Sequence, residues 1–253
     1  MPTYRMDVAY DGSSFFGYGI QKDVLTVQGE LERALRPHTG GASTQVAGRT
    51  DRGVHASGQV VSFASPEMDC AYVLRSLNRQ LAPDIAVLSL VEEDDDFHAR
   101  FSATGRAYIY RILNRSIHDP LKTAMTWHVR DELDIEVMND AMQFIEGEHD
   151  FAALCRRYRQ RSTVRAIEWA RWHRDKDEVR LSIGAKAFCH QMVRSTAALS
   201  VAVGTNELAA RDVGDIIAKG DRSLTKGVAP PQGLTLVAVS YAPDPLPRPT
   251  WSL

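Results

Sequence analysis

The sequence predicts an α+β fold, a sheet covered on one face by helices, and three features carry that prediction. Residues 4–10 and 106–113 alternate apolar and polar side chains with the period of a strand. Residues 27–35 and 69–80 instead place apolar side chains three or four apart, the spacing of one helix face. Over roughly the first ninety residues the order is strand, helix, strand, strand, helix, strand, and the second half repeats the theme.

The first strand carries Met6, Val8 and Tyr10 on one side and ends at Asp11-Gly12. Residues 13–21 form a loop containing Phe15, Phe16 and Tyr18 between glycines. Val27, Leu31 and Leu35 make the stripe of the first helix, which Arg36-Pro37 is expected to end. Residues 45–47 lead into a charged loop, and 59–63 are the strand that leaves it. The second helix, 69–80, turns Val73 and Leu77 inward; 85–91 is a strand; in 106–113 Tyr108, Tyr110 and Ile112 share a face. In the second half a helix covers 135–146, a turn 147–151, and strands 163–174 and 178–183 flank a hairpin at Asp175-Lys176-Asp177. The strongest helix is 188–203, with Phe188, Met192, Thr196, Leu199 and Val203 near helical period. A helix over 208–218, a strand over 234–241 and a proline-broken tail follow.

Length allows one large domain or two of moderate size, and 25% charged with 44% apolar residues is ordinary for a soluble globular protein. The N-terminal residues hold no apolar stretch of signal-peptide length, and no run approaches ~18 apolar residues, so the chain reads as cytoplasmic with no membrane partner. Cys70, Cys155 and Cys189 are scattered, which argues against a disulfide framework and against structural zinc. His55, His98 and His190 match no zinc spacing, so no metal is expected. Neither Gly-x-Gly-x-x-Gly nor a phosphate-binding Gly-Lys-Ser/Thr loop occurs, so no nucleotide cofactor is expected.

Net charge is −2, but its distribution is uneven. Residues 92–96 are all acidic, whereas Arg156, Arg157, Arg159, Arg161 and Arg165 form a basic segment that includes Tyr158. Such blocks make an acidic face and a basic face on a nearly neutral molecule, and a basic face with an aromatic suits RNA; taken alone, the block also fits a solvated loop.

The chemistry is concentrated in Gly48-Arg49-Thr50-Asp51-Arg52-Gly53-Val54-His55-Ala56. Glycines on both sides of a charged loop permit left-handed dihedrals and close approach by a ligand, so a strand can present Asp51 rigidly. Alone, Asp51 would read as a turn residue. Arg194 falls among small residues on the helix predicted over 188–203; composition alone favours an arginine that snorkels to the surface, but a buried guanidinium needs a carboxylate, and Asp51 is then the partner expected. That pair would keep Asp51 ionised. Tyr108 reads as core, whereas Tyr110 could serve as an aromatic plate beside the acid.

Several blocks resemble the tRNA pseudouridine synthase A family, in the same order and across essentially the whole chain. They are the Asp51 loop, Tyr10-Asp11-Gly12-Ser13 with Phe15 and Gly17, Val27-Gln28-Gly29-Glu30-Leu31-Glu32, residues 97–103 with Arg106, Tyr108 and Tyr110, Phe188-x-His190-x-Met192-Val193-Arg194, and Pro231-x-Gly233-Leu234-x-Leu236. The resemblance implies two ferredoxin-like-derived halves whose antiparallel sheets join, with the active cleft between them. The first half would be 1–104, carrying the Asp51 loop, the second 105–245, carrying Tyr110, the basic segment and Arg194, with 246–253 a tail. It implies an isomerase converting uridine to pseudouridine in the anticodon arm of tRNA, at roughly positions 38 to 40, on a flipped-out base and without cofactor. It also implies a homodimer.

By the same resemblance Asp51 is the catalytic residue, as nucleophile or as base. Tyr110 stacks on the uracil, Arg194 pairs with Asp51, and Arg49 fills the space of the expelled base or holds its phosphate. Thr50, Arg52, His55, Arg106 and the arginines from 156 to 165 are the expected RNA contacts. Departures are Arg52 where a small residue is usual, Tyr18-Gly19-Ile20 in place of Trp-Gln-x, and Ser195-Thr196-Ala197-Ala198 after Arg194. Two other readings stay open: a non-catalytic tRNA-binding chaperone on the same scaffold, and a carboxylate-dependent nucleoside hydrolase, for which no second acid is evident.

Overall fold

The computed structural model describes residues 1–156 and 162–248. In chain order the elements are β1 (Thr3–Tyr10), α1 (Val27–Thr39), β2 (Gln45–Val46), β3 (His55–Ala64), α2 (Cys70–Leu81), β4 (Ile85–Glu93), β5 (Ala103–Asn114) and β6 (Trp127–Val129). Then follow α3 (Ile135–Met142), β7 (Gly147–Asp150), β8 (Val164–Asp175), β9 (Glu178–Ala185), α4 (Met192–Gly204), α5 (Ala210–Lys219) and β10 (Leu234–Tyr241). The mixture is the α+β class expected, divided into two compact units, Met1–Thr104 with Thr235–Pro245, and Gly105–Leu234 with Leu246–Leu253. Chain order groups β10 with the second half, but its pairing puts it in the first unit.

In the first unit β1 lies between β3 and β4, antiparallel to both. β10 joins the far side of β3 in parallel, Thr235 opposite His55. Alternation in β1 buries Tyr4, Met6, Val8 and Tyr10, as the period of two requires. α1 starts at Thr26, whose hydroxyl accepts from the Gly29 N–H at 3.2 Å, and buries Val27, Leu31 and Leu35. Pro37 does not end it. Proline in the last turn removes one internal N–H bond, and the helix runs on to Gly40, which takes φ 70° and donates to Arg36 O. α2 is capped by Asp69 and packs on β4 and α1.

In the second unit β9 lies between β5 and β8, antiparallel to both, and β7 extends β8. β6 runs parallel to β5. α3 packs on α4, α5 and β8. Three boundaries differ from expectation. Residues 147–150 form an edge strand rather than a turn; its side chains stay largely outside the core, so no apolar alternation announces it. α3 stops at Met142, short of 146. α4 begins at Met192, not 188, because Gln191 takes a left-handed φ of 67°. Every residue of α4 except Arg194 is buried, as the sequence implied. The scattered cysteines also misled: Cys155 and Cys189, 34 residues apart, are paired with Cα atoms 5.7 Å apart, within disulfide reach. Among the described residues no helix is long and apolar enough to cross a membrane.

Candidate active site

Asp51 opens a tight turn. The Val54 N–H donates to Asp51 O at 3.1 Å, Gly53 has φ 77°, and β3 begins one residue later. Glycine with positive φ at the third position is what a type II turn demands, and it leaves Arg52 at the exposed second position. The strand therefore starts at His55, four residues earlier than its apolar run suggested.

The segment after β1 wraps this turn. Tyr18 N–H donates to Thr50 O at 3.1 Å, and Tyr10 Oη lies 2.8 Å from Thr50 Oγ1. A side chain on Gly12 would strike the Val54 carbonyl, so only glycine lets the two backbones meet. Gln59 completes the frame, its Nε2 donating to Gly48 O at 2.7 Å and to Tyr10 Oη at 3.2 Å. Burial pushes the Tyr10 hydroxyl up to about 12, against the hydrogen bonds to Thr50 and Gln59, so it stays neutral. Neither Tyr10 nor Gln59 was singled out from sequence; the signal was there, in the Tyr10 block and in Gln59 following the Asp51 loop.

His55 is buried and serves the loop. Its Nδ1 lies 3.1 Å from both the Gly12 N–H and Asp11 Oδ1, so a bare Nδ1 accepts from Gly12 and a protonated one donates to Asp11. Burial opposes ionisation of Asp11, but the hydrogen bonds from Ser13 and the nearby His55 outweigh it and hold the carboxyl below the usual carboxylate range. Thr50 is likewise buried, whereas Arg49 and Arg52 are exposed. Two of the expected RNA contacts in this loop thus position it from below, and two face outward.

In the second unit Tyr110 and Arg194 come together. Tyr110 Oη donates to Pro230 O at 2.8 Å, and Arg194 Nε donates to Ala229 O at 2.7 Å. Burial drives the Tyr110 hydroxyl well above its ordinary value, and the Arg194 charge only partly offsets this. Tyr110 is fully buried, whereas Tyr108, expected in the core, is half-buried and edge-on to Phe188 with ring centroids 5.2 Å apart. Arg106 is also buried, its Nη1 donating to Lys186 O at 2.7 Å.

Of the basic segment, Arg157, Arg159 and Arg161 lie outside the described residues. Arg156 is exposed, and the Arg165 guanidinium turns back to the carbonyls of Ser162 and Val164. Arg222, which the sequence reading missed, lies close enough to Arg156 to feel its charge. Burial and that like charge lower its affinity for its proton, while Gln191 Oε1 accepts from its Nη2 at 2.8 Å.

The profile of the tRNA pseudouridine synthase family matches residues 6–102 and 141–242, spanning the Asp51 turn and α4. The chain belongs to the tRNA pseudouridine synthase family. Curated relatives agree along most of their length. A tRNA pseudouridine synthase A of Caulobacter sp. (strain K31) is 38% identical over 245 residues, 95% of this chain and 98% of the relative. One from Methylobacterium radiotolerans is 39% identical over 251 residues, 96% of this chain and 99% of the relative. One from Streptomyces griseus is 39% identical over 253 residues, 96% and 89%. Membership of the tRNA pseudouridine synthase family makes the chain an isomerase; the Asp51 turn, inside the matched residues, is braced from Tyr10, Gly12, Tyr18 and Gln59.

Proposed function

We propose that this chain isomerises uridine to pseudouridine in the anticodon arm of tRNA, at roughly positions 38 to 40, with Asp51 as the essential group. What carries the reading is that the one carboxylate in the family-matching loop stands on a turn held from several sides, next to two exposed arginines. Preorganisation of that kind suits a reacting group.

The reaction breaks the C1′–N1 bond, turns the uracil while it is held, and joins C5 to C1′. The proton on C5 is lost and N1 gains one, so composition is unchanged and no oxidant or reductant is required. Asp51 starts this as a nucleophile on sugar or ring, or as a base at C2′. In the proposal Arg49 occupies the space of the extruded base or its phosphate, Tyr110 holds the uracil, and Arg194 is the counter-charge to Asp51. Arg52 and the arginines from 156 to 165 attract the backbone, while Thr50, His55 and Arg106 act by holding the loop and sheet. A homodimer binding tRNA is part of the same proposal, and sedimentation equilibrium tests it.

Purified protein with unmodified tRNA transcript and no added cofactor should produce pseudouridine in the anticodon arm, mapped as carbodiimide-dependent primer-extension stops. Asp51→Asn should lose at least about a thousandfold in rate, the loss of a group used only in the transition state. Binding without stops would favour the RNA chaperone, and released uracil the hydrolase.

A further inference from the structure

Arg52 sits at the outer corner of the Asp51 turn, with its guanidinium carbon 4.1 Å from the centroid of the Phe16 ring. The cation lies over the ring within cation–π range, and the Arg52 side chain itself remains exposed. Among the described residues no carboxylate pairs with Arg52. Phe16 is held in place from its backbone, its N–H on Leu25 O at 2.9 Å and its carbonyl accepting from Gln21 Nε2 at 2.8 Å. Its neighbour Phe15 is buried, while Phe16 remains 40% exposed, with Leu25 at 44% and Ile20 at 56% in the same loop. The loop thus offers solvent an aromatic ring and a planar cation together, the two kinds of surface on which a flat, electron-rich group stacks.

We propose that the Arg52–Phe16 stack is the seat for an unpaired base of the RNA, a nucleotide adjoining the uridine that Asp51 acts on. The proposal rests on the reading of Asp51 above and adds a second subsite to it. Guanidinium planes and aromatic rings are the surfaces on which splayed bases stack, and the positive charge also suits the anionic strand that carries the base. A base held one step from the target would keep the strand from sliding and hold the flipped nucleotide over the turn. A lone phosphate would use the charge of Arg52 but not its plane or Phe16.

The test uses a synthetic anticodon stem-loop, intact or with a single abasic site at each nucleotide flanking the target uridine. For the wild-type protein one abasic position should weaken binding about tenfold, which is about 1.4 kcal/mol. Arg52→Ala and Phe16→Leu should each weaken the intact RNA by a similar factor and should not respond further to that abasic site. Arg52→Lys should fail to restore binding, because it returns the charge without the plane. Recovery by lysine, or losses from Arg52→Ala and the abasic site that multiply, would overturn the stacking seat and leave a phosphate contact. Thermal melts check that both variants fold; should Phe16→Leu unfold, the Ala and Lys variants of the exposed Arg52 decide alone. Failure of the wild-type protein to form pseudouridine in intact tRNA is a separate result, and it removes the reading of Asp51 instead.

Discussion

Tyr110 and Arg194 hold consecutive carbonyls, the hydroxyl on Pro230 and the guanidinium on Ala229, at 2.8 and 2.7 Å. One short loop thus fixes two side chains that lie more than eighty residues apart in the chain. Tyr110→Phe keeps the ring but leaves the Pro230 carbonyl without its donor. It should cost about 1 kcal/mol in urea melts and leave most of the pseudouridine activity. If Tyr110 holds the uracil by its ring, Tyr110→Ala loses activity much further; equal activity of the two variants would limit Tyr110 to packing.

The Asp51 turn depends on Gly53. Any other residue at φ 77° pays the left-handed penalty, so Gly53→Ala should destabilise the protein by about 1 kcal/mol or more. Because the same turn aims Asp51, the rate of pseudouridine formation should fall by more than tRNA binding does. A variant that loses stability but keeps its full single-turnover rate would separate the turn from catalysis.

Tyr10 supplies a pH signature. Its hydroxyl is raised in the folded protein to about 12, from 10 when unfolded, chiefly by burial. Between those values the unfolded chain has lost the proton that the folded chain retains, so stability is full below about pH 10 and declines as pH rises toward 12. Two units correspond to about 2 to 3 kcal/mol. Tyr10→Phe should flatten that part of the stability–pH curve and remove one late-titrating phenol from absorbance at high pH. An unchanged curve would show that Tyr10 reaches solvent.

The Arg156–Arg222 neighbourhood predicts a salt effect. If both meet phosphates, Arg156→Ala with Arg222→Ala should weaken tRNA binding and reduce the slope of log affinity against log salt by about 1.5 to 2. A slope equal to that of the wild type would return Arg156 to an ordinary solvated side chain.

The α+β class, most strands and the helix faces were readable because they follow from apolar period, a property of neighbours in sequence. The Asp51 loop was readable because its glycines, charges and strand are contiguous, and Arg194 stood out as the one charge in a run of small and apolar residues. What only the tertiary structure decided depends on partners distant in sequence. β10 belongs beside β3, although it enters the chain last, and no local pattern reports a parallel pairing across almost two hundred residues. Exposure of a particular side chain is likewise set by what covers it. The chain alone could not say that Tyr110 is closed in and Tyr108 half-open, that Thr50, His55 and Arg106 are buried, or that the Arg52 guanidinium sits over the Phe16 ring. Sequence determines which residue types stand next to a carboxylate. Packing determines which of them face the solvent, because burial is a sum over contacts made by the whole fold.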